Sequence, residues 1–553
     1  MARSIMPVAK VTILAGICIL AFFVRIFSVI RYESVIHEFD PWFNYRTTKF
    51  LTLKGWYEFW NWYDSESWYP LGRVIGGTIY PGIMGTAASI KWSLDALALP
   101  MDIRNVCVFL APMFSGATAI SAFFFAKEAT NKPGAGLLAA LFISIVPSYI
   151  SRSVAGSYDN EAVAIFALVN TFFLWIRACN TGSIMWSVAC TLQYFYMVAA
   201  WGGYSFIINI IPIFVIAVMF ANKFNFKIYI AYSVFYVLGT VLAMTIPFVT
   251  FNAIKSSEHL ASHACYFAMN AFVFVEYLRK NLDERQFAGL IKIGLALSAF
   301  VSAFAFVYLT FSGNTKWSGR SMTLLDPTYA KKYIPIIASV SEHQPTAWTN
   351  YFFDMGYLIL FLPMGYYFCL IEDVTYGKLF IGIYGVLATY FSCVMIRLML
   401  TLAPVVCIIA AIAINEIFEK AGESLRLSLM HRTWDLSETV DMQKLKSVTQ
   451  KNAGKPLSKG NQDVMQEVKK RRSLLPVIPA AAIIGVLFSI LQHQVYHSTI
   501  LAADAYSSPS IIMSHTLNDG SRMIIDDYRE AYYWLKQNTA PDANIMSWWD
   551  YGY

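Results

Sequence analysis

The chain has 553 residues, of which 57% are hydrophobic, 16% aromatic and only 14% charged. A soluble domain carries roughly 25% charged residues, so this chain lacks the polar surface that water requires and must use the bilayer as solvent over most of its length. The formal net charge of +7 does not indicate nucleic acid as a partner, because much of it lies in residues 419–473, and basic stretches beside spanning helices report cytoplasmic loops.

A spanning helix needs about 20 mostly apolar residues. In chain order, such runs predict an all-α polytopic membrane protein of about thirteen helices. They lie near 11–30, 108–127, 134–150, 160–178, 183–199, 203–220, 228–250, 263–279, 288–310, 349–371, 377–393, 396–418 and 474–493. Val11 to Ile30 follows Arg3 and Lys10 as a signal peptide would, but it is too long and has no small-residue cleavage site, so it reads as a retained first helix. Residues 31–107 form one long loop. Within it Ile79 to Leu99 carries Tyr80, Pro81, Lys91, Trp92 and Asp95, and reads as an amphipathic or re-entrant piece. Residues 311–348 make a second long loop, and the polar stretch 419–473 reads as a flexible cytoplasmic one. The eight cysteines form no CxxC pair and sit in or beside apolar runs, which indicates buried apolar residues rather than disulfides or zinc.

With the N-terminus on the cytoplasmic side, Lys127 with Lys132, Lys223 with Lys227, Arg279 with Lys280, and Lys469 to Arg472 all fall in inner loops. That distribution follows the positive-inside tendency. The unusual acids then share the opposite side: Glu38 and Asp40, Asp159 and Glu161, Glu342, and Asp550 in Trp548-Trp549-Asp550-Tyr551-Gly552. Arg397 is a lone cation between two apolar helices. Charges near membrane depth are costly and need a partner or a task. Converging carboxylates suit a hard divalent cation, Mg²⁺ or Mn²⁺, and a guanidinium suits a phosphate. Each feature alone has an ordinary reading: a turn at Asp40-Pro41, a helix cap at Asp159, a snorkelling Arg397, and interfacial tryptophans.

Taken together and in this order, these segments resemble the catalytic subunit of eukaryotic oligosaccharyltransferase, a C-type glycosyltransferase. Glu38-Phe39-Asp40 is similar to its first DxD-type motif and Asp159-Asn160-Glu161 to its second. Ser339 to Gln344 resembles its SVSE loop, and Trp548 to Gly552 its WWDYG signature. The resemblance implies transfer of a preassembled oligosaccharide from dolichyl pyrophosphate to the Asn side chain of Asn-X-Ser/Thr. The implied site is in the endoplasmic reticulum lumen, within a multisubunit complex near the translocon. It implies Asp40, Asp159 and Glu161 as metal ligands, with Mn²⁺ or Mg²⁺ as cofactor. Asp40 and Glu342 would engage the acceptor amide, with Arg152 orienting the carboxylates around Asp159. Arg397 and Tyr553 would hold the lipid pyrophosphate, and Trp548, Trp549 and Asp550 the sequon hydroxyl. It also implies a transmembrane domain over residues 1–493 and a mixed α/β luminal domain that continues past WWDYG to a further DK-type motif. Residues 494–553 are therefore expected to be the beginning of that domain, incomplete.

Three other readings stay open on the residues alone. Another dolichol-dependent C-type glycosyltransferase would share the early acids but has no use for a hydroxyl pocket. A transporter would place charges midway along its helices and show repeat halves. A non-catalytic membrane subunit would not need the full acidic set.

Overall fold

The computed structural model describes residues 2–294, 322, 326, 328–335, 339–371, 374–430 and 476–548. Seven helices among them are long and apolar enough to cross a membrane: Ile103–Thr130, Glu161–Thr181, Phe226–Met244, Trp348–Leu370, Tyr376–Val394, Ile396–Leu425 and Val477–Ala505. Shorter apolar helices at Pro7–Phe23, Pro133–Ile145, Ile184–Ala200 and Tyr204–Phe220 pack among them. Glu161–Thr181 and the helix starting at Met399 run through the middle of the bundle, and most of their side chains are buried. Large aromatics such as Phe172, Trp175, Phe380 and Tyr384 interlock edge-to-face around them.

Several helix ends depart from the apolar runs for local reasons. The first helix, Ala2–Phe23, stops early, and a separate turn of helix covers Phe27–Arg31. The run 134–150 breaks at Val146, whose backbone is extended before Pro147, as the steric demand of proline on its predecessor requires. The helix from Met399 continues to Met430, well past the expected loop start at 419. Leu260–Asn281 forms the predicted helix near 263–279. Residues 284–294 are helical, and the rest of the predicted span 288–310 lies outside the described residues, as do 431–473.

Trp348–Leu370 is not one continuous α-helix. Trp348–Met355 passes through a 3₁₀ stretch, Gly356–Phe361, into Leu362–Leu370. Gly356 has φ +59°, and any Cβ there would strike the Gln494 amide. That amide replaces the lost helical partners: Gln494 Oε1 accepts from Tyr357 N at 2.9 Å and its Nε2 donates to the Met355 carbonyl at 3.3 Å. A break in a spanning helix is tolerated where a neighbour satisfies the freed backbone groups.

The 31–107 loop folds over one end of the bundle. It contains the helix Asp40–Trp60, a two-residue hairpin pairing Tyr63-Asp64 with Arg73-Val74, and the 15-residue helix Gly82–Ala96. Ile83, Met84, Ala87 and Ala88 pack with Phe43, Leu51 and Phe59 in a second apolar cluster. After Val477–Ile500 the chain forms the hairpin Met513–Thr516/Arg522–Ile525 and the helix Asp527–Asn538. Tyr32 docks this part on the bundle through hydrogen bonds to Ser508 and Ser514.

Candidate active site

Four chain breaks meet at one end of the bundle, each beside a charged side chain. Asp40 is the first residue of the helix Asp40–Trp60, with Pro41 next to it in the opening turn. A carboxylate is favourable there because the N-terminal amides of a helix carry partial positive charge. Glu161 likewise opens Glu161–Thr181 and is fully buried. Arg397 sits in the one-turn 3₁₀ helix Ile396–Leu398, where Met395 adopts extended backbone and separates Tyr376–Val394 from Met399–Met430. Glu342 lies in a second 3₁₀ turn, Ser341–His343. The main chain fastens these two turns together, since Ile396 N donates to the Gln344 carbonyl at 3.0 Å.

The charged side chains form one network. Arg397 Nη2 donates to Glu161 Oε1 at 2.7 Å, and its Nη1 donates to Glu342 Oε1 at 3.1 Å. The other oxygen of Glu342 accepts from Arg152 Nη2 at 2.7 Å. Arg152 Nη1 also lies 3.5 Å from Glu38 Oε2. Glu342 is thus held between two guanidinium groups, one per oxygen. Burial lowers the Arg152 pKa, but the surrounding carboxylates of Glu161, Glu38 and Glu342 outweigh it and raise the balance above the usual value. Enclosure, and then the Glu161 carboxylate, push the Asp159 carboxyl well above its usual range, with Arg397 opposing.

Asp40 and Asp159 are placed by a second set of contacts. The side-chain amide of Asn44, one turn beyond Asp40 on the same helix, donates to the Tyr158 carbonyl at 3.1 Å. The Tyr158 hydroxyl is bonded to Thr48 at 2.8 Å, a turn further along. Gly156 makes the crossing possible: its φ is +97°, its carbonyl accepts from His37 N at 2.9 Å, and a Cβ would lie 2.3 Å from the Val35 carbonyl. The chain reverses at Glu38, which holds φ +62°, before entering the helix at Asp40.

The expected residues are therefore placed unequally. Glu161, Glu342, Arg152 and Arg397 are in direct contact, and Asp159 is electrostatically joined to them. Arg152, expected to orient the carboxylates around Asp159, feels Glu161 and Asp159 electrostatically and pairs directly with Glu342 and Glu38, its guanidinium reaching across to a loop 190 residues away. Among the described residues, no group of three or more His, Cys, Asp or Glu side chains is assembled closely enough to hold a metal ion. Trp548 is exposed, and Trp549, Asp550 and Tyr553 lie outside the described residues. Glu38 as an ion-pair partner and Asn44 as a strut were not foreseen. The only hint was their position in the segment His37 to Asn44, on either side of Asp40.

Residues 8–410 match the protein family described as "Oligosaccharyl transferase STT3, N-terminal". The chain is 49% identical over 546 residues to the Arabidopsis thaliana dolichyl-diphosphooligosaccharide–protein glycosyltransferase subunit STT3B, covering 98% of this chain and 72% of that one. It is 46% identical to the Dictyostelium discoideum subunit STT3 of the same designation, covering 98% and 71%. Among solved structures it resembles the oligosaccharyltransferase AglB of Archaeoglobus fulgidus in complex with an inhibitory peptide and a dolichol-phosphate, with a TM-score of 0.66 and 17% identity. That match covers 96% of this chain, which spans 58% of the archaeal chain. A second structure of the archaeal enzyme, tethered to an acceptor peptide containing the NVT sequon, gives a TM-score of 0.67 at 15% identity, covering 98% and 62%. At such identities the likeness is one of fold.

Proposed function

This chain belongs to the STT3 family of oligosaccharyl transferases, and from that premise we propose that it transfers a preassembled oligosaccharide from dolichyl pyrophosphate to the Asn side chain of Asn-X-Ser/Thr. The observation that carries the reading is the Glu161–Arg397–Glu342–Arg152 network at the mouth of the apolar bundle. A guanidinium beside acids at the end of an apolar bundle suits a phosphate carried on a lipid. We place it in the endoplasmic reticulum membrane, N-terminus cytoplasmic and site luminal, as one subunit of a complex near the translocon; the curated relatives are themselves named as subunits.

The chemical difficulty is the acceptor. An amide nitrogen is a poor nucleophile because its lone pair is delocalised into the carbonyl. Asp40 and Glu342 accept hydrogen bonds from its two N–H groups, which weakens that conjugation and orients the nitrogen. Glu342 is suited to this, since each oxygen is already aimed by an arginine. Arg397 donates to the lipid pyrophosphate, a contact that a planar, weakly hydrated guanidinium makes well, with Tyr553 beside it. Trp548, Trp549 and Asp550 bind the Ser/Thr hydroxyl. A site built to hydrogen-bond a hydroxyl rejects analogues without it far more strongly than an apolar pocket can.

Two of the three expected acids suit a divalent cation, Mn²⁺ or Mg²⁺, although among the described residues no third His, Cys, Asp or Glu is gathered with them closely enough to hold one. The Asp159 and Glu161 carboxyls interact directly, and Glu161 Oε2 is buried without a hydrogen-bond partner. The unpartnered Glu161 Oε2 is a hard oxygen of the kind such an ion binds. Asp40, Asp159 and Glu161 would hold it, and when bound it supplies Lewis-acid stabilisation of the departing pyrophosphate. Three labelled peptides test the reading: Asn-Val-Thr, Gln-Val-Thr and Asn-Val-Ala. Transfer from a dolichyl-pyrophosphate donor should require the first and stop with chelator. Equal labelling of all three would refute it.

A further inference from the structure

Arg25 lies just beyond the helix Ala2–Phe23 and is completely buried. No carboxylate pairs with it among the described residues. Its Nε donates to Ser153 Oγ at 2.7 Å, and its Nη1 donates to the Ala21 carbonyl at 2.8 Å and the Ser144 carbonyl at 2.7 Å. The guanidinium also stacks over Tyr149, 4.9 Å from the ring centre. Ala21 and Ser144 belong to the last turns of Ala2–Phe23 and Pro133–Ile145. Carbonyls in a last turn have no donor of their own within the helix, and together they carry about half a unit of negative charge. Two helix ends thus supply the counter-charge that a buried cation needs. A guanidinium stays protonated in proteins, so the group is cationic here.

Ser153 adjoins Arg152, the residue that grips Glu342. The main chain repeats the hold: Ala155 N donates to the Arg25 carbonyl at 2.8 Å, and Ser28 Oγ donates to the Ala155 carbonyl at 2.7 Å. Ser153 Oγ in turn donates to the Tyr149 carbonyl at 2.6 Å. Residues 153–155 are therefore fixed from the first-helix side, while Arg152 projects the other way toward Glu342 and Glu38. We propose that Arg25 is a positioning residue, which through Ser153 sets where Arg152 holds Glu342. The inference rests on the functional reading above, because it concerns the placing of the same acid. A plain structural staple would tie the two helix ends together without favouring one neighbour in the site.

Ser153→Ala separates these cases, since it cuts the guanidinium's link to the loop and leaves in place both helix-end contacts and the main-chain bonds at Ala155. Kinetics would be measured in membranes carrying the protein with its native partners, alone and in an Arg152→Lys background. Ser153→Ala is expected to lower kcat roughly three- to tenfold, a loss in keeping with a small misplacement, with peptide KM and thermal midpoint unchanged. In the Arg152→Lys background most of that loss should vanish, because the two changes act on one element. Arg25→Lys, which keeps the charge but not the fork, should lower kcat as Ser153→Ala does and also lower the thermal midpoint, since the helix-end contacts go too. Wild-type kcat in Ser153→Ala, or losses that multiply in full in the double variant, would overturn the inference while leaving the functional reading intact. Absence of transfer by the wild type would overturn both.

Discussion

Arg397→Met would leave the fully buried Glu161 carboxylate without the guanidinium 2.7 Å away, and free one oxygen of Glu342 as well. Removing one member of a buried pair costs ~3–5 kcal/mol, since the survivor keeps its desolvation penalty. A third of the Arg397 side chain is exposed and Arg152 still lies close by, so the lower end, about 3 kcal/mol, applies. Glu161→Gln in the same chain removes the charge that needed the arginine. The double variant should therefore be more stable than the sum of the single losses, by about 2 kcal/mol of coupling. Denaturant or thermal unfolding of the purified protein, comparing the two single variants with the double, measures this. Strict additivity would refute the account of Arg397 as the counter-charge of Glu161, whatever happens to activity.

Asn44→Asp replaces the donor to the Tyr158 carbonyl with an acceptor, setting two oxygens against each other. Transfer should fall roughly tenfold or more, with Asn44→Ala milder, because a repelling partner costs more than a missing one; equal rates in both variants would contradict this. His37 is buried, and burial lowers its pKa to about 4 from an ordinary 6.5. Its stabilising contribution is complete above pH 6.5 and is lost as the pH falls toward 4, up to about 3 kcal/mol. His37→Gln should flatten that part of the acid-unfolding curve, and an unchanged curve would exclude the residue as its cause. Asp550→Ala should weaken peptide binding, whereas Asp40→Ala should chiefly lower the rate. Peptide titrations giving comparable affinity losses in both would count against that division.

The helices were legible because lipid demands long apolar runs, and Glu161–Thr181 begins close to where its run begins. The ends were less so. Val146 breaks its helix because Pro147 follows, although both lie inside an apolar run, and the helix from Met399 runs on to Met430 over residues polar enough to suggest a loop. Asp40, Asp159, Glu161, Glu342 and Arg397 stood out as charges at the edges of apolar segments. Their pairings did not: Arg397 meets Glu161 across 236 residues of chain and Arg152 meets Glu342 across 190, and nothing local encodes such a meeting. Arg25 was passed over for a different reason. It lies inside the apolar run 11–30 near its end, where a basic side chain can snorkel, and only the convergence of two helix ends shows that it is buried.

The most direct test of the whole account is glycan transfer from a dolichyl-pyrophosphate oligosaccharide to a labelled Asn-X-Thr peptide, comparing wild type with Asp40→Ala, each with Mn²⁺ and with chelator. The account predicts transfer by the wild type that needs the metal and is abolished in Asp40→Ala. Transfer that persists in Asp40→Ala or in chelator would contradict it.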